Sequence, residues 1–254
     1  MAQKRKLNSK KDKRGTHELI YGIHPVIELL RAKKRKLMSI YTTKPLPKAW
    51  ERIKQYLPKS IPNIQYVSRG ILDRMACSSE HMGIVALVSP FQFRKKMFDV
   101  KKHPFILLLD SIQDVHNLGA ILRTAYCTGV TGIVLCKKQA APLTAAAIKV
   151  SAGLAEHLDV YVAPSLRHAI QEAKQSGYNL YMTVLENGKN AMEVTYKKPM
   201  CLVIGNEAVG ISKDVLKDGE LITLPQVDPN VSYNASVAAG IFMFVLSQSK
   251  SLVK

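Results

Sequence analysis

From residue 104 onward the apolar positions come in short unbroken runs: "FILLLD", "GIVLC", "LDVYVA", "NLYMTV", "MCLVIG" and "LITLP". Runs of that length without polar alternation predict strands buried on both faces, and helical patterns between them, such as "LRHAIQEAKQSG", predict crossover helices. The result is an α/β domain over 104–254 built on a parallel sheet, where ligands sit at the carboxyl ends of the strands. Residues 16–90 follow a different rhythm. An apolar helix over 25–32, a strand over 37–41, a helix over 50–57, the strand "IQYVS", a short helix from Arg69 and the strand "GIVALVSP" predict a small separate α/β unit. Between the two, 91–103 mixes charge with isolated aromatics and predicts a linker. The first stretch, 1–15, has almost no apolar side chains and predicts a disordered basic tail.

Charge sharpens this outline. The 254 residues carry a formal net charge of +18, which attracts polyanions and makes nucleic acid the first partner to consider. Cys77, Cys127, Cys136 and Cys201 are widely spaced and show no metal-ligand pattern, so they predict reduced core thiols, with neither a metal site nor a disulfide framework. No apolar run approaches the roughly 18 residues that span a bilayer, and the N-terminus lacks a short apolar secretory stretch. The expected location is the cytoplasm, away from any membrane.

Three loops carry more polar and glycine residues than packing demands. In "LDSIQDVHNLGAILRTAYCTGV", Leu118, Ile121, Leu122 and Ala125 form an apolar stripe, and Asn117 is placed as its N-cap. Gly119 suggests a close approach to the helix backbone, and Arg123 falls off the stripe where a guanidinium can reach an anion. In "VIGNEAVGIS" a buried strand turns through Gly205, Asn206, Glu207 and Gly210, and Glu207 can accept hydrogen bonds from a ribose or an amine. In "LPQVDPNVSYNASVAAGIFMFVL" a strand ends at Leu224, and Ser232, Asn234 and Ser236 crowd the start of a helix, so at least one is spare for a ligand. Alone, the first loop is equally readable as a capped helix with a solvated arginine, and the second reads more readily as an ordinary strand-to-helix turn.

In this order and spacing, "NLGAILRTA", "VIGNEAVGI" and "LPQVDPNVSYNASVAAGI" resemble the signature motifs of the TrmH (SpoU) group of SPOUT RNA 2'-O-ribose methyltransferases. The likeness covers about 105–249, and "IYGIHPVIELL" with "HMGIVALV" resembles the L30e-like RNA-binding domain of the RlmB type. It implies a trefoil-knotted α/β catalytic domain, S-adenosylmethionine as cofactor and a homodimer. It also implies roles by motif position: Asn117, Arg123, Glu207, Ser232 and Asn234 as the catalytic polar set. Thr183, Gly205, Asn206, Gly210, Leu224 and Tyr233 would surround the cofactor. Val115, Ala208, Tyr233 and Ala235 depart from the usual motif residues, and none belongs to the polar catalytic set.

The implied chemistry is an in-line attack of a ribose 2'-oxygen on a sulfonium methyl group, an electrophile strong enough to need no metal. Alignment of the reactants can supply about 7–11 kcal/mol of the barrier. A guanidinium with a pKa above about 12 suits Arg123 to gripping a phosphate and stabilising a 2'-oxyanion; proton abstraction by it is the less natural role. The expected substrate is a guanosine of large-subunit ribosomal RNA, with a tRNA position or a non-catalytic RNA-binding role as alternatives. A nucleotide-dependent oxidoreductase would want G-x-G-x-x-G after its first strand, and "DSIQDVHNLGA" does not provide it.

Overall fold

The computed structural model describes residues 17–60, 63–137, 140–206, 209–228 and 231–249. The basic tail and Glu207 lie outside the described residues. The chain opens with β1 (Glu18–Tyr21), α1 (Ile23–Ala32), β2 (Leu37–Thr42), α2 (Trp50–Lys54), β3 (Asn63–Tyr66), α3 (Arg69–Ala76) and β4 (Ile84–Val88). These strands form a four-stranded sheet in the order β1-β4-β2-β3. In it β4 runs antiparallel to β1 and β2, while β3 is parallel to β2.

A second sheet follows from β5 (Phe105–Leu109), β6 (Gly132–Cys136), β7 (Asp159–Ala163), β8 (Asn179–Thr183), β9 (Lys189–Asn190), β10 (Met200–Ile204) and β11 (Glu220–Thr223). Its order is β7-β6-β5-β10-β8-β11-β9, and each recorded pairing is parallel. All six apolar runs are therefore strands, and β5, β6 and β10 are buried along their whole length. Alternate residues of β5 separate two cores. Ile106 and Leu108 pack with Leu166, Ala169 and Ile170 of α6 (Leu166–Gln175). Phe105, Leu107 and Leu109 face the opposite core, shared by α4 (Val115–Cys127), α5 (Ala145–Val150) and α7 (Ala235–Ser247). Each fully buried Leu or Ile there contributes about 1.5–3 kcal/mol.

That second core does not stop at the domain boundary, since Ile20, Val26 and Ile40 of the first unit belong to it. The joint is also polar. Arg35 donates to Glu156 (2.9 Å), Glu18 (2.7 Å) and the Ser89 carbonyl (2.8 Å), and both Arg35 and Glu156 are 1% exposed. Lys34 reaches Asp159 (2.7 Å) and the His157 carbonyl (2.8 Å), and His157 pairs with Glu28 at 2.8 Å. A Cβ on Gly153 would stand 2.6 Å from the Pro25 backbone, so the two units touch main chain to main chain.

The linker expectation needs correction. Phe91 and Phe98 are buried, and the Phe98 ring fills the space a side chain at Gly132 would occupy, 2.8 Å from its would-be Cβ. The Arg94 amide donates to the Val160 carbonyl at 2.8 Å. Residues 91–103 thus form a packed strap along β7, which would otherwise be an open sheet edge. Charged residues between the aromatics hid this, because only Phe91 and Phe98, seven positions apart, are buried and the residues between them include no other buried side chain.

Candidate functional site

At the carboxyl ends of β8 and β10 the second and third motif loops enclose a cavity of about 340 Å³. Thr183, Gly205, Asn206, Gly210, Ser232 and Tyr233 line it, together with Ile204, Val209, Leu216, Ala235, Ala238 and Phe242. Its size is in the range of small-molecule sites, roughly 300–1,000 Å³, and its apolar walls with few polar groups suit a nucleoside.

The 205–210 loop is closed by reciprocal backbone bonds between Asn206 and Gly210, at 3.1 and 2.9 Å. Gly205 is needed for that closure, because a Cβ there would lie 2.4 Å from the Gly210 carbonyl carbon. Gly210 has φ +67° and its missing Cβ faces open space, which leaves a cradle on the cavity wall. The Asn206 side chain donates to the Ser111 carbonyl (2.8 Å) and accepts from the Val209 amide (3.2 Å), so it ties this loop to the end of β5. The Thr183 hydroxyl donates to the Val203 carbonyl at 3.0 Å, and Thr183 lines the cavity at the β8 terminus.

In the third loop the excess of caps resolves. Asn234 is the N-cap of α7 and accepts from the Ser236 amide (2.9 Å), the Ser236 hydroxyl (2.6 Å) and the Val237 amide (3.4 Å). Ser232 is left on the cavity wall, and the Tyr233 hydroxyl reaches back to the Pro225 carbonyl at 3.4 Å. Leu224 is buried at the end of β11, outside the lining.

The first motif departs further from expectation. The cap of α4 is Asp114, whose carboxylate accepts from the His116 amide at 2.7 Å, and Asn117 lies inside the first turn. The helix therefore begins three residues earlier than an Asn117 cap would place it, with Asp114 in extended backbone and Val115 as its first residue. Gly119 does meet a close backbone, but it belongs to α5: a Cβ would be 2.8 Å from the Ala147 carbonyl oxygen. Asn117 and Arg123 are not among the cavity lining, and Arg123 is exposed. The reason is geometric. α7 turns Ala235, Ala238 and Phe242 to the cavity, whereas Gly240, on another face of the helix, lies 3.7 Å at its would-be Cβ from Thr124 of α4.

Two groups escaped the sequence reading. Asp110 ends β5 half-buried, accepts from the Ser111 hydroxyl at 3.0 Å, and burial pushes its carboxyl above the usual range despite that bond. Ser111 holds a left-handed backbone, φ +54°, which presents its carbonyl to Asn206. An acid closing a wholly apolar strand was the available signal. Lys213 is the other, a cation on the cavity wall beyond the last motif glycine. Elsewhere burial pushes the Cys136 thiol up to about 12 and Cys201 higher still, as for inert core cysteines, whereas Cys77 and Cys127 are exposed and correct the expectation of four core thiols. Among the described residues no cluster could hold a metal, and no helix is long and apolar enough to cross a membrane.

Parallel α/β architecture, an ancillary sheet packed on it and a strand-end cavity walled by the glycine-bearing 205–210 loop and the 232–235 segment define a two-unit α/β protein with a nucleoside-sized site. The SpoU rRNA Methylase family matches residues 104–244, and the family of RNA 2'-O ribose methyltransferase substrate-binding domains matches 19–94. Bacillus subtilis (strain 168) has a relative named as a TrmH family tRNA/rRNA methyltransferase, YacO. It is 33% identical over 245 residues, covering 93% of this chain and 98% of that protein. Among solved structures, a crystal structure of an RNA 2'-O ribose methyltransferase superposes with TM-score 0.80 at 20% identity, covering 94% of this chain and 90% of the other. The SpoU methyltransferase AviRb from Streptomyces viridochromogenes, in complex with AdoMet, does so with TM-score 0.79 at 19% identity, covering 96% and 94%. The chain belongs to the SpoU (TrmH) family of RNA methyltransferases.

Proposed function

We propose that this chain methylates the 2'-oxygen of a ribose in RNA with S-adenosylmethionine as donor, and that its target is a guanosine of large-subunit ribosomal RNA. The observation that carries the reading is the convergence of the 205–210 and 232–235 loops on one nucleoside-sized cavity at the strand ends. When bound, S-adenosylmethionine supplies an electrophilic methyl group on a positively charged sulfur. Tyr233, Ile204, Leu216 and Phe242 would hold its apolar ring, while backbone beside Gly205 and Gly210 and the Thr183 hydroxyl would meet its polar edges. Asn206 keeps that loop in place through Ser111. Glu207, by motif position, would accept from the donor or from the ribose.

Arg123 enters this reading through a second copy. The α7 side chains Val237 and Phe244 are 50% and 59% exposed, close in sequence to exposed Tyr233 and Val231. We take this apolar surface as the face of a two-fold dimer. A second copy's Arg123 and Asn117 would then complete the cavity, the guanidinium holding the RNA phosphate and stabilising the 2'-oxyanion. The substrate assignment rests on the extra N-terminal unit and on its match to a substrate-binding family.

Calorimetric titration with S-adenosylmethionine, followed by mapping of 2'-O-methylation in RNA from cells with and without the protein, tests the reading. Binding together with loss of one ribosomal guanosine methylation is expected. Absence of binding overturns the enzyme reading in favour of an RNA binder, and a missing tRNA methylation relocates the substrate. Mixing Arg123→Ala protein with a Gly205→Val protein tests the dimer. Each is inactive alone, and subunit exchange restores roughly a quarter of wild-type activity if sites are shared across a two-fold axis.

A further inference from the structure

A second cleft, of about 540 Å³, opens in the N-terminal unit between the segment after β2, the start of α3 and the turn before β4. Its floor is apolar and accessible: Leu46 is 41% exposed and Met82 is 55% exposed, with Pro45 and Pro47 between them. Its rim is basic, from Lys44, Lys48 and Arg69, and none of its lining residues is acidic. Exposed thioether and leucine surface next to three cations is unlike an ordinary solvated face, where apolar side chains are scattered singly.

The cleft is also rigidly framed. His81, fully buried, accepts the Gly83 amide on Nδ1 (2.9 Å) and donates from Nε2 to Asp73 (2.8 Å), which anchors the 78–83 turn to α3. That anchoring holds Met82 in a left-handed conformation, φ +52°, with its side chain outward. On the opposite wall the Thr43 hydroxyl donates to the Pro45 carbonyl (3.1 Å), and the Lys44 ammonium stands 4.4 Å from the centroid of the Tyr66 ring.

We propose that this cleft takes an unpaired nucleobase of the RNA substrate, lifted out of its stack and laid on Leu46, Pro45 and Met82. Its flanking phosphates then lie on Lys44, Lys48 and Arg69. RNA is read at splayed single-stranded bases on apolar or aromatic surfaces, and a thioether adapts to any ring. The cations give salt-sensitive affinity for the backbone without choosing a base. The inference rests on the RNA methyltransferase reading, and makes the N-terminal unit the part that selects unpaired regions around the target.

The test uses the full chain and two probes of equal length: a 12-nucleotide single-stranded RNA with one central 2-aminopurine, and the same strand in a blunt duplex. Tighter binding of the single strand is expected, with a rise in 2-aminopurine fluorescence as the base leaves its neighbours. The double variant Leu46→Ala/Met82→Ala loses that rise and about tenfold of the preference, while duplex affinity is unchanged. Lys44→Gln/Lys48→Gln/Arg69→Gln weakens both probes and flattens the salt dependence. All these side chains are exposed, and an unchanged melting temperature verifies folding. Equal affinity for the two probes, an unaltered fluorescence rise in Leu46→Ala/Met82→Ala, or equally effective competition by poly-glutamate overturns the proposal. S-adenosylmethionine titration of the same variants separates the two readings: binding is retained if only the cleft proposal fails, and absent throughout if the methyltransferase reading fails.

Discussion

The two sheets of this molecule spend the same kind of residue in different ways. In the seven-stranded sheet the central strands are buried on both faces and all recorded pairings are parallel, so their ends converge on one rim where loops can be functional. In the four-stranded sheet, β3 sits at an edge with exposed residues at both ends, and its neighbouring turns are open and basic. The first arrangement places two loops around one cavity of about 340 Å³. The second leaves an open cleft with a basic rim. What joins them is neither a tether nor a flat contact but a common core with a buried guanidinium at its border.

The comparison breaks most sharply at that border. Arg35→Ala leaves the Glu156 carboxylate buried without its partner and costs about 3–5 kcal/mol. Urea denaturation of the wild type is expected to show one transition and of the variant two, since the shared core loses its polar lock. Replacing both residues, Arg35→Met with Glu156→Leu, recovers most of the loss. Burial raises the Glu156 carboxyl pKa, against the pull of Arg35. A raised pKa means that the folded state binds the proton more tightly than the unfolded one. Its contribution is therefore full below the unfolded value and lost as pH rises through the folded value. In Arg35→Ala that loss steepens, so the variant recovers in acid.

Next in size, Gly205→Ala drives a Cβ into the Gly210 backbone and costs about 1–3 kcal/mol. It also abolishes S-adenosylmethionine binding measured by calorimetry, with the N-terminal sheet unaffected in hydrogen exchange. A smaller effect belongs to Asp110, whose carboxyl is raised by burial. Wild-type stability falls as pH climbs from the ordinary carboxylate range through the raised value, and Asp110→Asn removes that part of the pH dependence. Smallest is Gly70→Ala, on an α3 face with nothing within 4 Å of the new Cβ. It stabilises by about 0.4–1 kcal/mol through the unfolded chain. Opposite signs at Gly205 and Gly70 would show that glycine serves close packing in one unit and is merely tolerated in the other.

Much of the fold was legible because the signal was local. Six apolar runs became six strands, and the α6 pattern became a helix capped by Ser165. Of the three motif loops expected to meet, the second and third line one cavity, since each follows directly from a strand whose end the parallel sheet places on the same rim. The first motif was less legible. Asp114 and Asn117 are both good caps, and only the path of the chain out of β5 selects Asp114. Gly119 marked a close approach without naming its partner, and only the fold supplies it, because α5 arrives from about 30 residues further along the chain.

By itself the sequence determined the alternation of strands and helices, the sign of the surface charge and the chemistry available in each motif, all of which depend on neighbours a few residues apart. Tertiary structure alone decided that 91–103 is a strap, that Arg35 and Glu156 meet, that Met82 is turned outward, and that Arg123 stands off the cavity of its own chain. Those outcomes come from contacts between segments distant in sequence, where burial and steric fit choose among side chains that local pattern leaves equivalent.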